Sequence, residues 1–201
     1  TNICGADTAI QFINAIANSL QIKNNLADTT VCGIPYTASF TNNTTGANAQ
    51  FWNWGDGSIT NNPSQTLVHS YTKPGIYTIT HCAKHVCGDT IITKTIRLNK
   101  IPHSVIQPVV NNICIGDTVL LSTDIDSSVQ YKWHLNNRII DSSAITKYVF
   151  TTPGNYTPTL YSSITANGFT CTDSTSIKIQ VVGEKPGKAN INPTNGFCVP
   201  F

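Results

Sequence analysis

Cysteine is the residue type in this chain with the most chemistry to offer, and its spacing is regular. Seven cysteines occur in 201 residues. Cys4 to Cys87 is 83 residues and Cys87 to Cys171 is 84, while Cys32 to Cys114 is 82 and Cys114 to Cys198 is 84. Only Cys82 falls off this ruler. Regular cysteines in small domains read as disulfide chemistry in an oxidising compartment. Two pairing schemes fit the repeat. A long-gap scheme joins Cys32 to Cys87 and Cys114 to Cys171, each inside one copy. A short-gap scheme joins Cys4 to Cys32, Cys87 to Cys114 and Cys171 to Cys198 across the linkers. The long gap is preferred, because a domain of about 80 residues buries only about 60% of its unfolded surface and gains from a cross-link of its own. Closing a 55-residue loop contributes roughly 4 kcal/mol by the chain-entropy estimate. On that scheme the partners of Cys4 and Cys198 lie beyond the sequence, and Cys82 is a lone thiol.

Other chemistry is thin. His81-Cys82-Ala83-Lys84-His85-Val86-Cys87 has zinc-ligating residue types. On a strand, however, His81 and His85 share a face about 13 Å apart, too far for one ion. Asp56, between Gly55 and Gly57, is a weak calcium candidate. The six to eight oxygen ligands calcium takes are not evident around it, and an Asp in a tight turn bonds its own backbone amides while the glycines accept positive φ. No Gly-x-Ser-x-Gly elbow, His-Glu-x-x-His pair or phosphate loop occurs, so no catalytic residue and no cofactor site is read.

Charged residues are 11% of the chain, against a usual ~25%, and the net charge is only +2. Without a basic patch, nucleic acid has no electrostatic handle. No apolar run approaches the roughly 20 residues of a membrane helix. Thr, Asn and Ser supply the polar surface. The chain contains no Met, so residue 1 is not expected to be a native start.

The elements that would carry these residues are strands. A second, aromatic ruler has a period of 79: Trp52 to Tyr131, Trp54 to Trp133, Tyr71 to Phe150, Pro74-Gly75 to Pro153-Gly154, and Tyr77 to Tyr156. Self-similarity at a fixed period means copies of one structural unit. In the first copy, 36–40 alternates, Phe51 to Trp54 places both tryptophans on one face, 68–71 is short, 77–80 begins another strand, and 90–98 closes with Ile92, Ile96 and Leu98 on one side. The second copy repeats this with 119–121, 131–133, 148–150, 156–161 and 176–182. Pro158 within a strand pattern implies an edge or a bulge. Residues 6–20 are read as strand. The linkers Asn99 to Pro108 and Gly183 to Pro193 are short and contain Pro, hence semi-rigid.

Trp52-Asn53-Trp54-Gly55-Asp56-Gly57, His69-Ser70-Tyr71 and Pro74-Gly75-Ile76-Tyr77-Thr78-Ile79-Thr80, taken in order, resemble the PKD (polycystic kidney disease) repeat over roughly residues 30–100. The second copy keeps Trp133, Phe150, Pro153, Gly154 and Tyr156 but has His134-Leu135-Asn136 in place of Gly-Asp-Gly, as in a divergent PKD or Ig-like relative. The resemblance implies tandem seven-stranded Ig-like β-sandwiches. The Asn/Thr bias and the cysteines further resemble repeats of large secreted surface proteins of Bacteroidetes-type bacteria, including gliding adhesins exported by type 9 secretion. Thr8, Thr29, Thr90, Thr118 and Ser174, each after an Asp, resemble the O-glycosylation acceptors of such proteins; turn and strand-start chemistry favours the same pairs.

The expected organisation is the end of a preceding repeat (1–27), a PKD-like domain (28–104), a divergent PKD/Ig-like domain (105–187), and a linker with the start of a following repeat (188–201). The expected function is a non-enzymatic, extracellular structural or adhesive module, a stalk or filament segment whose partners are neighbouring repeats and an extracellular protein or glycan met by loops such as 41–49 and 61–65. The alternative is an accessory glycan- or protein-binding module of a secreted hydrolase.

Overall fold

The computed structural model describes residues 20–107 and 111–183. Cys4, Thr8, Cys198, most of the stretch expected as strand over 6–20, and the linker beyond Gly183 lie outside them. The described residues contain strands and no helix.

The first copy supplies β1 (Thr29–Cys32), β2 (Tyr36–Thr41), β3 (Ala49–Asn53), β4 (Ile59–Asn61), β5 (Thr66–Tyr71), β6 (Gly75–Lys84) and β7 (Thr90–Asn99). They form a five-stranded sheet, β1-β7-β6-β3-β4, and a two-stranded sheet, β2-β5. Alternation decides which face is inside. Ala38 and Phe40 point inward from β2 while Thr37, Ser39 and Thr41 are exposed. Phe40 reaches across to both tryptophans, its ring centroid 5.7 Å from each. Trp52 and Trp54 are buried, as period-2 alternation requires of residues expected on one face.

The second copy supplies β8 (Asn112–Cys114), β9 (Thr118–Ser122), β10 (Gln130–Leu135), β11 (Arg138–Asp141), β12 (Ile145–Val149), β13 (Gly154–Tyr156), β14 (Thr159–Ala166), β15 (Phe169–Ser176) and β16 (Ile179–Val182). Its sheets are β11-β10-β14-β15, β12-β9 and β13-β16-β8. Trp133, Leu121, Phe150, Leu160 and Ile179 make one buried cluster. This is the all-β, Ig-like sandwich architecture, with Trp54 and Trp133 at matching interior positions. The stretch expected as one strand over 156–161 is instead two. Residues 157 and 158 break it, and β13 and β14 join different sheets. Pro158 has no N–H to give a ladder, so the chain changes sheets there.

Two compact units emerge from the described residues. One gathers 20–29, 37–70 and 77–96, the other 30–36, 71–76, 97–107 and 111–183. The second unit therefore contains Cys32 and the first linker as well as the second copy.

The expected disulfide pairing is corrected. Cys32 bonds Cys171, with a Cα–Cα distance of 5.6 Å and a sequence separation of 139. It does not bond Cys87, and Cys171 is not available to Cys114, which is itself disulfide-bonded. The reason lies in β7. Asp28 meets Thr95, and Gly33 meets Asn99, so β1 runs in the direction of β7 and brings Cys32 to its far end. Cys87 precedes the start of that strand. Ten residues of strand separate the two by roughly 30 Å, far beyond a disulfide's reach.

Candidate functional site

The motif turn follows β3. Gly55 has φ +80°, and a Cβ there would lie 2.7 Å from the backbone N and O of Thr78 in β6. Glycine is thus required both by conformation and by close approach. Gly57, φ +97°, faces open space. Between them, Asp56 Oδ1 accepts from the Ser58 amide (3.0 Å) and hydroxyl (2.6 Å), and Oδ2 accepts from His69 Nε2 (2.8 Å). Burial opposes ionisation of this carboxyl, but the Ser58 and His69 hydrogen bonds outweigh it and lower its pKa to about 2. His69 in turn lies flat on Trp54, with centroids 4.7 Å apart and planes 7° apart. The carboxylate is committed to protein donors, and among the described residues no three His, Cys, Asp or Glu gather closely enough to hold a metal. Sequence reasoning quoted His69 within a motif without giving it this role.

The second copy has no such turn. β10 runs on through His134 and Leu135, with a register irregularity at Trp133/His134, and the chain reverses at Asn136 and Asn137, φ 50° and 62°. Asn tolerates this region better than most residues, so it replaces glycine as the reversing residue.

The His81–Cys87 stretch is split between strand and turn. His81 is fully buried, stacked on Trp52 at 4.5 Å. Its Nδ1 accepts from Asn24 Nδ2 (3.0 Å) and its Nε2 donates to Gln50 Oε1 (3.1 Å). Gln50 Oε1 also accepts from Asn42. Burial pushes the His81 pKa down, and likewise pushes the Cys82 thiol up. Cys82 is a buried free thiol. His85, beyond the strand, accepts the Cys87 amide at Nδ1.

The densest constellation was not expected. It is built around the first linker, within the second compact unit. Asn99, 1% exposed, donates from Nδ2 to the carbonyls of Ala166 (2.8 Å) and Phe169 (3.1 Å). Asn167 donates from Nδ2 to the Leu98 carbonyl (3.0 Å) and to Asn99 Oδ1 (2.9 Å). Asn167 and Gly168, φ 52° and 82°, make the turn of the β14–β15 hairpin, so one dipeptide both reverses the chain and presents its amide to the linker. Farther along, the Ser104 amide donates to Asp173 Oδ2 (3.0 Å) and its hydroxyl meets that of Ser162 (2.6 Å), both serines buried. Lys100 pairs with Asp126 at 2.9 Å. The Cys32–Cys171 bond sits in the same unit. The linker is ordered by this set rather than by its prolines alone. The Asn167-Gly168 pair was the available signal in the sequence.

Among the candidate acceptors, Thr90, Thr118 and Ser174 are exposed and Thr29 is half-buried. Their preceding acids have turn or strand partners. Asp28 accepts from the Thr95 amide, Asp117 from Cys114, and Asp173 from Ser104. The loop residues Asn42 and Asn43 bond Gln50 and Gln65.

A PKD domain model matches residues 17–99. This supports a PKD/Ig-like repeat there, on the residues that carry the motif turn. No curated protein matches the chain in sequence. Among solved structures, extracellular domains 3–5 of Drosophila OTK are similar at 14% identity and TM-score 0.49, covering 81% of this chain and 62% of that one. An ICAM-5 ectodomain fragment is similar at 7% identity and TM-score 0.43, covering 84% and 52%. An I-band fragment of titin is similar at 14% identity and TM-score 0.40, covering 82% and 66%. The chain thus spans between about half and two thirds of the length of these structures.

Proposed function

We propose that this chain is a non-enzymatic, extracellular repeat module that serves as a stiff spacer in a bacterial surface stalk or filament. The observation that carries this reading is the treatment of the linker. A chain meant to flex between domains leaves its joint solvated. Here Asn99 and Ser104 are buried and bonded, and a disulfide closes 139 residues of sequence around them. In this reading the functional partners are neighbouring repeats of the same longer chain, with domains at 28–104 and 105–187. Export by type 9 secretion, membership of a gliding-adhesin-like array, and glycosylation at Thr29, Thr90, Thr118 and Ser174 are the finer parts of the proposal.

Pulling the chain from its ends tests the spacer. The bond removes 139 residues from the load path, which at full extension is roughly 45–50 nm. Oxidised molecules are expected to extend that much less than reduced ones. Equal contour lengths would reject the spacer reading.

A further inference from the structure

The hydrogen-bond network around His81 is directed, because backbone amides pin both of its ends. Asn24 Oδ1 accepts the Leu26 amide at 3.0 Å, so Nδ2 is the group that faces His81 Nδ1, also at 3.0 Å. A ring nitrogen that accepts carries its proton on the other side, and Nε2 donates it to Gln50 Oε1 at 3.1 Å. At the far end Asn42 Oδ1 accepts the Thr44 amide at 3.3 Å, and Nδ2 donates to the same Gln50 Oε1. His81, fully buried, is thus held neutral. A second proton on the ring would set an N–H at Nδ1 against the N–H of Asn24. Turning the Asn24 amide over to receive it would leave the Leu26 amide facing a donor. The face of Trp52, 4.5 Å away, attracts a cation but has no acceptor for the new N–H. Asn24 also sits in a segment, 20–26, that is only lightly fastened. Gln21 and Thr45 exchange two backbone hydrogen bonds of 3.0 Å, the Asn43 amide donates to the Lys23 carbonyl (2.8 Å), and the Thr41 amide donates to Asn25 Oδ1 (2.8 Å). Within the segment only Leu26 is buried.

We propose that residues 20–26 form an acid-released clasp on the first sandwich: protonation of His81 expels Asn24, and the segment lifts away from 41–45. No neighbouring charge takes over the ring. Lys23 in the segment and Lys84 at the end of β6 are exposed, and Cys82 alternates to the other face of β6. On β7, Lys94 reaches Asp28 at 3.9 Å and Arg97 alternates to the other face. β3 carries no titratable group, while β2 and β5 bring the phenols of Tyr36 and Tyr71 and the ring of His69, which is bonded to Asp56. Burial is what lowers the His81 pKa. Lifting Asn24 lets water reach Nδ1, so the ring there titrates near the ordinary 6.5. The lifted state therefore takes up a proton that the closed state refuses, and falling pH draws the segment open. This inference does not rest on the spacer reading. It concerns the first sandwich alone, and the contour lengths compared above are the same with the clasp open or closed.

The test is native-state hydrogen exchange of the whole 201-residue chain, read at the Thr41, Asn43 and Thr45 amides, whose acceptors lie in the segment. Local lifting exposes little surface, so exchange there is expected to be insensitive to low urea, unlike exchange at Asn48 and Trp54. After correction for the intrinsic rate, the opening constant is expected to rise about tenfold from pH 7.5 to pH 5.5, the effect of one proton taken up at 6.5. His81→Gln has no proton to take up and should show no such rise. Asn24→Asp puts an acceptor where the donor was, so a protonated ring now closes the clasp and opening should fall over the same interval. Urea dependence as steep as at Asn48 and Trp54, no rise in the native chain, or a rise in Asn24→Asp equal to the native one would overturn the clasp.

Discussion

Gly55 shows how much one residue of the motif decides. Alanine there would add a Cβ 2.7 Å from backbone atoms of a neighbouring strand, which cannot move as a side-chain tip can. Gly55→Ala is expected to cost about 2–4 kcal/mol in urea unfolding. Gly57→Ala has open space and bears only the φ > 0 penalty, about 1 kcal/mol. Equal losses would mean that conformation, not contact, demands Gly55. His81 gives a pH signature. Burial lowers its folded pKa below the ordinary 6.5, so the unfolded chain takes up the proton first. Its contribution is complete above that value and is lost as pH falls below it, at up to about 1.4 kcal/mol per pH unit. Asp56, lowered to about 2 from 3.8, acts in a separate window, losing its contribution as pH falls from 3.8 towards 2. Melting temperature is expected to fall between pH 7 and 5 in the native chain and to stay nearly flat in His81→Gln. A parallel fall in both would assign the acid sensitivity elsewhere. The tryptophans and turn glycines were legible from residue type and spacing. The His81 network was not, because Asn24, Asn42, Gln50 and His81 have no common spacing and meet only after β3 and β6 pair.

Among the elements, strands announced themselves where one face is buried, as in β2 and β10 with their alternating burial. The short β4, β8, β11 and β13 did not, since three or four residues carry too little pattern to read. The β14–β15 hairpin holds more than its own ladder. Asn167→Ala removes both the residue type suited to φ 52° and the donor to Leu98 and Asn99. A loss of about 2–3 kcal/mol is expected, with faster hydrogen exchange at the amides of Gly33, which donates to the linker carbonyl of Asn99, and Ser104. Asn167→Gly keeps the turn and loses only the clamp. It should speed exchange at those amides as much while costing less stability. Unchanged exchange in both variants would show that the disulfide alone orders the linker.

For the molecule as a whole, the cross-link is the term with the longest reach. By the chain-entropy estimate, closing 139 residues is worth roughly 5 kcal/mol. Cys32→Ser with Cys171→Ser is expected to lose much of that, and a non-reducing peptide map is expected to join the peptides of Cys32 and Cys171. A map joining Cys32 to Cys87 would restore the intradomain scheme. The amino-acid order by itself determined that the chain is all-β, that its cysteines and aromatic motif recur at a period of about 80, and that regular cysteines of this kind form disulfides. Those conclusions need only residue type and interval, which are local. That Cys32 meets Cys171 was decided by tertiary structure alone. A repeat looks the same when shifted by one copy, so spacing cannot tell Cys87 from Cys171 as the mate of Cys32. The direction of β1 beside β7 can, because it carries Cys32 to the Asn99 end of that strand and leaves Cys87 at the other.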